Sequence, residues 1–324
     1  MKIGTIGIIG FGKIGKIRAD SIKILKPNAN ILYYDSFVGG SVKNAEDIIN
    51  NPNVNIVVIC TPNNTHKDFT VQSLKNNKHV FCEKPPVMNL KEMGEVIEVE
   101  KIAGKKLMYG FNHRHHESIK KIKEIIDLET FGKILWIRGR YGKEVDKNFY
   151  NDWRSKKEIA GGGIFLDQGI HMLDLFLYIS EDFDEVKAVV SNLYWKLDVE
   201  DNVFAIFKNS KTEIVASLHS TMTQWRHLFS LEIFLEKGSL ILNGLKTPSG
   251  SYGREVLTIT QNRTSAPSAT WDKENQITYD TNNSWNNEMD YFLNCVENNI
   301  DISMGSSKDA LKVMKIVDMV YNNT

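Results

Sequence analysis

Five residues, Thr5-Ile6-Gly7-Ile8-Ile9, lead directly into Gly10-Phe11-Gly12-Lys13-Ile14-Gly15. The first run is short, apolar and rich in β-branched side chains, the composition of a strand buried on both faces of a parallel sheet. The second has the pattern G-x-G-x-x-G and opens an apolar periodicity at Ile14, Ile17, Ile22 and Leu25 that predicts a helix. In that setting each glycine has its own task. The first permits a tight turn, the second lets backbone approach a pyrophosphate, and the third allows the helix to pack close to the strand. The phosphates of a nucleotide belong at the helix N-terminus, which makes Gly10, Phe11, Gly12, Lys13, Ile14 and Gly15 a candidate cofactor loop.

A second strand-like run, Ile31-Leu32-Tyr33-Tyr34, ends in Asp35, twenty positions after Gly15. A carboxylate at that place accepts hydrogen bonds from an adenosine ribose and repels a 2′-phosphate. No arginine lies between Ser36 and Val42 to reverse that preference, so NAD is expected rather than NADP.

The alternation continues. Val54 to Cys60 reads as a strand, Thr61-Pro62-Asn63-Asn64-Thr65-His66 as a loop, and Phe69, Val71 and Leu74 mark a helix. His79 to Cys82 reads as the next strand. Asn89-Leu90-Lys91-Glu92 resembles a capping box opening a helix that gives way near Gly104 to the strand Leu107 to Phe111. Repeated βα units of this length predict an α/β fold with a doubly wound parallel sheet of Rossmann type, whose ligands sit at the carboxyl ends of the strands. Thr61, Pro62, Asn63 and His66 are therefore cofactor-binding candidates, as are Glu83 and Lys84, which follow the strand at Cys82. Pro85 and Pro86 hold Lys84 in a rigid turn, and a cis peptide bond is one way to do so. Asn112-His113-Arg114-His115-His116 is a dense polar cluster, with Asn112 and Arg114 as substrate contacts. For His115 and His116 a solvated loop is equally open. No carboxylate or cysteine stands at metal-ligand spacing, so no metal site is proposed.

From Ser118 the pattern changes. One amphipathic helix (Ile119, Ile122, Ile125, Ile126) precedes a strand from Lys133 to Tyr141, and further strand-like runs follow at 185–195, 202–207, 213–220, 229–235, 239–242 and 256–260. These predict an α+β domain with a large, mostly antiparallel open sheet. The stretches 247–254 and 262–280 read as loops, and helices are expected over 285–296 and 307–321. With 324 residues, two domains are expected: 1–117 for NAD binding and 118–324 for substrate binding and oligomerisation.

Within the second part, Gly161-Gly162-Gly163 leads into Ile164-Phe165-Leu166-Asp167-Gln168-Gly169-Ile170-His171. Glycines are poor starts for regular structure, so three in a row mark a close approach of backbone to another group. Asp167 and His171, four apart, share a helical face, either as a cap with a buried imidazole or as a proton-handling pair. Asp174 and Tyr178 continue that face and read as structural. Trp153 and Arg154 offer an aromatic platform and a bidentate cation, which suit a sugar ring carrying carboxylate or phosphate, with core packing of Trp153 the alternative.

The GFGKIG loop, TPNNTH, EKP, GFNHRHH and the D-x-G-x-H of Asp167 to His171, in this order, resemble the Gfo/Idh/MocA family of NAD(P)-dependent sugar and polyol oxidoreductases over nearly the whole chain. The resemblance implies a catalytic group of Lys84, Asp167 and His171, with the glycines making room for cofactor or sugar. It further implies a sheet that forms an interface between copies, hence a homodimer or homotetramer. In hydride transfer between a carbinol carbon and nicotinamide, a hydroxyl proton must also move. Histidine, with an ordinary pKa near ~6.5, suits that transfer. His171 is assigned as general base in oxidation and acid in reduction, Lys84 as hydroxyl and nicotinamide positioner, and Asp167 as the substrate-binding partner of His171. Lys84 as the proton-transfer group is the alternative.

Two other readings use the same residues: a redox-neutral, glycoside-cleaving enzyme that restores its NAD, and a non-catalytic NAD-sensing regulator. Equal numbers of basic and acidic side chains, 40 of each, exclude an electrostatic footprint for nucleic acid or an anionic membrane. Three scattered cysteines form no disulfide framework, no apolar run reaches ~18 residues, and the opening stretch lacks a signal-peptide pattern. A cytoplasmic enzyme with a small-molecule sugar or polyol substrate is the expectation.

Overall fold

The computed structural model describes residues 3–261 and 274–322. The chain forms two compact units, the first from Met1–Asn112, Glu158–Gly161 and Asn283–Lys315, the second from His113–Lys157, Gly162–Asn282 and Ile316–Thr324.

The first unit is built by strict alternation: β1 (Thr5–Ile9), α1 (Lys13–Leu25), β2 (Asn30–Tyr34), α2 (Ala45–Ile49), β3 (Val54–Ile59), α3 (His66–Lys75), β4 (His79–Glu83), α4 (Leu90–Ala103) and β5 (Leu107–Gly110). Its sheet runs β2-β1-β3-β4-β5 with every pair parallel, as the apolar, β-branched strands require. The strand order reverses between β1 and β3, which puts the switch point beside Gly10 and Thr61. Asn89 caps α4 by accepting the N–H of Glu92, and Gly104, at φ 60°, ends it in the left-handed conformation. The Glu92 carboxylate returns to the N–H of Met88, one residue before the position a capping box would use.

The sequence division assigns everything from residue 118 on to the second domain, but Asn283–Lys315 belongs to the first unit. The reason is apolar packing. Met289, Phe292, Leu293 and Val296 of the helix Ser284–Asn298 join Ile6, Ile8, Ile22, Ile56, Val58 and Phe81 in one buried cluster. That helix and the following one, Ser307–Asn322, have the expected positions in sequence.

The second unit centres on an eight-stranded sheet. After α5 (Glu117–Asp127), its strands are β6 (Ile134–Gly142), β7 (Glu185–Ser191), β8 (Asn202–Lys208), β9 (Val215–Thr221), β10 (Leu228–Leu235), β11 (Gly238–Asn243), β12 (Glu255–Gln261) and β13 (Asn275–Tyr279). They are ordered β13-β12-β11-β10-β6-β9-β8-β7, antiparallel except for β6 against β9. The predicted strand from 185 stops at Ser191, and the loop expected over 262–280 contains β13, which pairs with β12 at the sheet edge. Its sequence, Asn-Gln-Ile-Thr-Tyr, carries too few apolar residues to announce a strand. Residues 262–273 of that loop lie outside the described residues. One sheet face buries Ile137, Val203, Ala205 and Phe207 under the helix α6 (Ile170–Ser180), whose Met172 and Phe176 lie against Gly139. The opposite face leaves Trp136, Val189, Phe204 and Ile206 exposed, the last three by more than half.

Candidate active site

In the first unit the three glycines behave as their spacing requires. Gly10 has φ +89°, and a Cβ on it would meet the backbone of Cys60 at 2.6 Å; a Cβ on Gly15 would meet the carbonyl oxygen of Gly10 at 2.1 Å. At Gly12 a Cβ would meet nothing within 4 Å, so the loop faces open space where a pyrophosphate would lie at the start of α1. Asp35 accepts the N–H groups of Phe11 at 2.7 Å, Phe37 at 2.8 Å and Val38 at 3.0 Å. Burial raises its pKa, but these three donors and Lys16 outweigh that and hold the carboxyl below its ordinary value, ionised and oriented. Oδ2 accepts only the Phe11 bond among these three, which leaves a lone pair for a ribose hydroxyl. The residues present therefore fit a dinucleotide.

At the end of β3, Asn63 donates its amide to the carbonyl of Ala160 at 2.8 Å, and Thr65 bonds Thr61 and the carbonyl of Pro62. His66, expected to contact cofactor, is 1% exposed and lies between two backbone carbonyls, Nδ1 at 2.7 Å from Pro85 and Nε2 at 2.8 Å from Thr61. It braces two loops of the site from inside.

Glu83 also turns inward. Its carboxylate accepts from Arg18 Nε at 2.7 Å, while Arg18 reaches Glu288 at 2.6 Å and lies over the rings of Phe81 and Trp285. Arg18 and Glu288 are fully buried. Burial works against the guanidinium charge, but Glu83 and Glu288 prevail and raise its pKa. Glu83, expected at the cofactor, is the residue before Lys84 and is anchored from inside by Arg18. A sequence signal for this existed: Arg18 sits between Ile14 and Ile22 on the apolar stripe of α1, a place for a cation only if carboxylates meet it inside. Lys84 follows, with a cis peptide bond to Pro85.

In the second unit, Gly163 donates its N–H to Glu200 Oε2 at 2.6 Å and Phe165 donates to Oε1 at 3.0 Å, so a buried carboxylate takes the first N–H groups of the helical segment. Tyr321 donates its hydroxyl to the same oxygen at 2.9 Å. A Cβ on Gly163 would meet the Glu200 carbonyl oxygen at 2.0 Å, and one on Gly162 would meet the Tyr321 hydroxyl at 2.1 Å. Gly162 and Gly163 make room for the protein's own Tyr321 and Glu200, which corrects for these two the expectation that they clear space for cofactor or sugar. Residues Phe165–Gly169 form a π-helical turn that passes into α6 at Ile170. Asp167 lies inside that turn and His171 just beyond it, so the local winding differs from the regular helix that their spacing suggests.

Asp167 gathers cations. Lys143 Nζ is 3.4 Å away, Arg154 Nε 3.8 Å, and Gln168 Nε2 donates at 3.2 Å. Arg154 lies over the ring of Trp153 at 4.3 Å. Arg154, Trp153 and Asp167 are thereby brought together, and Lys143 is an additional member the sequence reading missed. His171, 6% exposed, stacks on His113 with ring centroids 3.9 Å apart. His113 Nε2 is 2.9 Å from the Tyr141 hydroxyl, and Tyr141 meets Tyr252 edge to face.

The polar cluster at 112–116 is not solvated: none of its five residues is more than 6% exposed. Arg114 is bidentate on buried Asp174, at 2.8 and 2.6 Å, and lies over Tyr178. His116 is bound by Glu255 at 3.0 Å, and Asn112 donates to Ser284 at 3.2 Å. Asn112 and Arg114 therefore serve internal bonds, Asp174 and Tyr178 are structural as expected, and His113 is the member of the cluster that reaches His171. Among the described residues no group of His, Cys, Asp and Glu has the geometry for a metal ion.

Residues 5–111 match the model of the oxidoreductase family with an NAD-binding Rossmann fold, and residues 119–241 that of the GFO/IDH/MocA C-terminal domain. The myo-inositol 2-dehydrogenase of Thermotoga maritima is 30% identical over 262 residues, 74% of this chain and 75% of that protein. The D-glucoside 3-dehydrogenase of Escherichia coli is 31% identical over 145 residues, covering 45% and 41%. Among solved structures, a levoglucosan dehydrogenase in complex with NADH and levoglucosan superposes with a TM-score of 0.84 at 21% identity, over 99% of this chain and 97% of that one.

Proposed function

The chain belongs to the GFO/IDH/MocA oxidoreductase family, and from that premise we propose that it transfers a hydride between NAD and a secondary hydroxyl or ketone of a sugar, inositol-like polyol or nucleotide-linked sugar. The observation that carries this reading is that one chain holds, in its first unit, a nucleotide loop around Gly12 and Asp35 and, in its second, an Asp167–His171 segment ringed by Lys143, Arg154, His113 and Tyr141. Relatives named as inositol and glucoside dehydrogenases support it.

Bound at the loop, the nicotinamide supplies the hydride acceptor. The chain's own groups do the rest. His171 takes the hydroxyl proton in oxidation and returns it in reduction, and Asp167 accepts a neighbouring substrate hydroxyl while Lys143 and Arg154 hold it in place. Trp153 offers a face to the apolar side of a sugar ring, and Lys84 positions the reacting oxygen and the nicotinamide. Asp35 supports a preference for NAD over NADP. The exposed apolar residues of the sheet, Trp136, Val189, Phe204 and Ile206, support a homo-oligomer formed through that face. Cys60, Cys82 and Cys295 are free thiols, which supports a cytoplasmic setting; among the described residues no helix is long and apolar enough to cross a membrane.

The test is absorbance of NADH over a panel of polyols, free sugars, glycosides and nucleotide sugars. NADH formed in step with ketone product is the expected result. Product without net NADH would replace this reading with a redox-neutral reaction.

A further inference from the structure

His66 sits at the first position of α3, and its ring joins two backbone carbonyls that belong to different strand-end loops. Thr61 is the second residue after β3, in the loop beside Gly10 at the switch point of the sheet. Pro85 is the residue after Lys84. The imidazole has no freedom to do anything else: it is 1% exposed, and both nitrogens lie within 2.8 Å of a carbonyl oxygen. On the other side of Lys84, Glu83 is held by Arg18 at 2.7 Å. Lys84 is thus the middle of three residues whose neighbours are both tied into the interior.

We propose that His66 is a positioning residue for Lys84: its Nδ1–H donates to the Pro85 carbonyl and its ring fixes the spacing between that carbonyl and Thr61, so that Lys84 is presented in one orientation to the cofactor loop. This rests on the reading of Lys84 as the catalytic lysine. A lysine side chain is long and flexible, so a rigid backbone on both sides is what limits where its ammonium can go. A neutral imidazole has a single N–H, and burial, the largest influence on His66, disfavours the doubly protonated ring. Only a protonated nitrogen can donate to a carbonyl, and the contact of Nδ1 with the Pro85 carbonyl, at 2.7 Å, is the one that connects the ring to Lys84.

Asparagine and glutamine separate the two contacts, because an asparagine amide nitrogen falls near the place of Nδ1 and a glutamine amide nitrogen near that of Nε2. The experiment compares His66→Ala, His66→Asn and His66→Gln in the full chain, by steady-state kinetics, by calorimetry of NAD binding, and by hydrogen–deuterium exchange of peptides covering 60–67 and 82–88 without cofactor. His66→Ala is expected to lower kcat ~10–100-fold with the Kd for NAD within about threefold, and to speed exchange in the 82–88 peptide. His66→Asn is expected to recover most of kcat and of the protection, and His66→Gln is not. In a Lys84→Ala background His66→Ala should cost less than about threefold more, since it acts through a group already removed. Recovery by Gln rather than Asn, or an equal cost of His66→Ala in both backgrounds, would overturn the proposal. If Lys84→Ala alone leaves kcat unchanged, the reading of Lys84 fails instead, and the exchange arm still decides whether His66 holds the 82–88 segment.

Discussion

His113 and His171 lie face to face, ring centroids 3.9 Å apart and planes tilted by 17°, although one opens the second unit and the other stands on a helix 58 positions later. His113 is in turn fixed by the Tyr141 hydroxyl. A stacked, hydrogen-bonded neighbour sets the plane of an imidazole, and the plane decides where its lone pair points. His113→Leu, which removes both the stack and the bond to Tyr141, should lower kcat/KM by ~10-fold or more, whereas His113→Phe should lose less because a flat ring remains. Steady-state kinetics on the two variants checks the order.

Lys84→Ala and His171→Ala should each reduce turnover ~10²–10⁴-fold and leave NAD affinity within a few-fold. Their effects should be strongly non-additive. Asp167→Asn should fold and turn over slowly, with a changed pH–rate profile, because the charge that holds Lys143 and Arg154 is gone while the shape remains. Near-normal turnover with a lowered Tm in the Asp167 and His171 variants would mark the pair as purely structural.

Calorimetry should show NAD binding tighter than NADP by ~10-fold or more, since an ionised Asp35 faces the site of a 2′-phosphate. Asp35→Ser should narrow that ratio. Equal binding of the two cofactors by the unaltered chain would refute the preference.

The open sheet face should hold copies of the chain together. Light scattering at micromolar concentration should give a dimer or tetramer mass, and Phe204→Glu with Ile206→Glu should give a monomer that keeps its fold by circular dichroism.

His79 makes stability depend on pH. Burial first, then Lys105 and Lys106, lowers its pKa to about 4 from an ordinary 6.5, and its Nδ1 accepts the N–H of Lys106 at 3.0 Å. Below pH 6.5 the unfolded chain binds this proton and the folded chain does not. The contribution is therefore complete above about pH 6.5 and is lost progressively toward pH 4. His79→Asn keeps an acceptor near Nδ1 and removes the titration. Between pH 7 and pH 5 the unaltered chain should lose about 2–6 °C more in Tm than this variant.

What the sequence makes legible is what neighbours in the chain decide. The turn at Gly10, the end of α4 at Gly104 and the alternation of β1 to β5 are local consequences of glycine, apolar periodicity and capping. The partners of buried charges are not local. Nothing near Gly163 announces that Glu200 will cap its helix, and nothing near Lys84 announces that Arg18 will hold Glu83. Arg114 and His113, adjacent in sequence, go to Asp174 and Tyr141, a separation of roles that depends on which way each side chain leaves the turn. The π-helical turn at Phe165–Gly169 shifts the winding where Asp167 sits, and residue spacing alone assumes a regular helix.

Arg18 and Glu288 are 270 positions apart and meet at 2.6 Å. Synthesis proceeds from the N-terminus at roughly 5–20 residues per second, so the five-stranded sheet is fully out of the ribosome long before the helix that covers it. During that interval Ile6, Ile8, Ile22 and Phe81 lack Met289, Phe292 and Leu293, and Arg18 has Glu83 without Glu288. The unit whose strands are written first therefore waits for Asn283–Lys315, near the end of the chain, before its core is closed. A nascent chain stalled before residue 283 would display an apolar face and a half-neutralised arginine, the surface that chaperones bind and proteases reach.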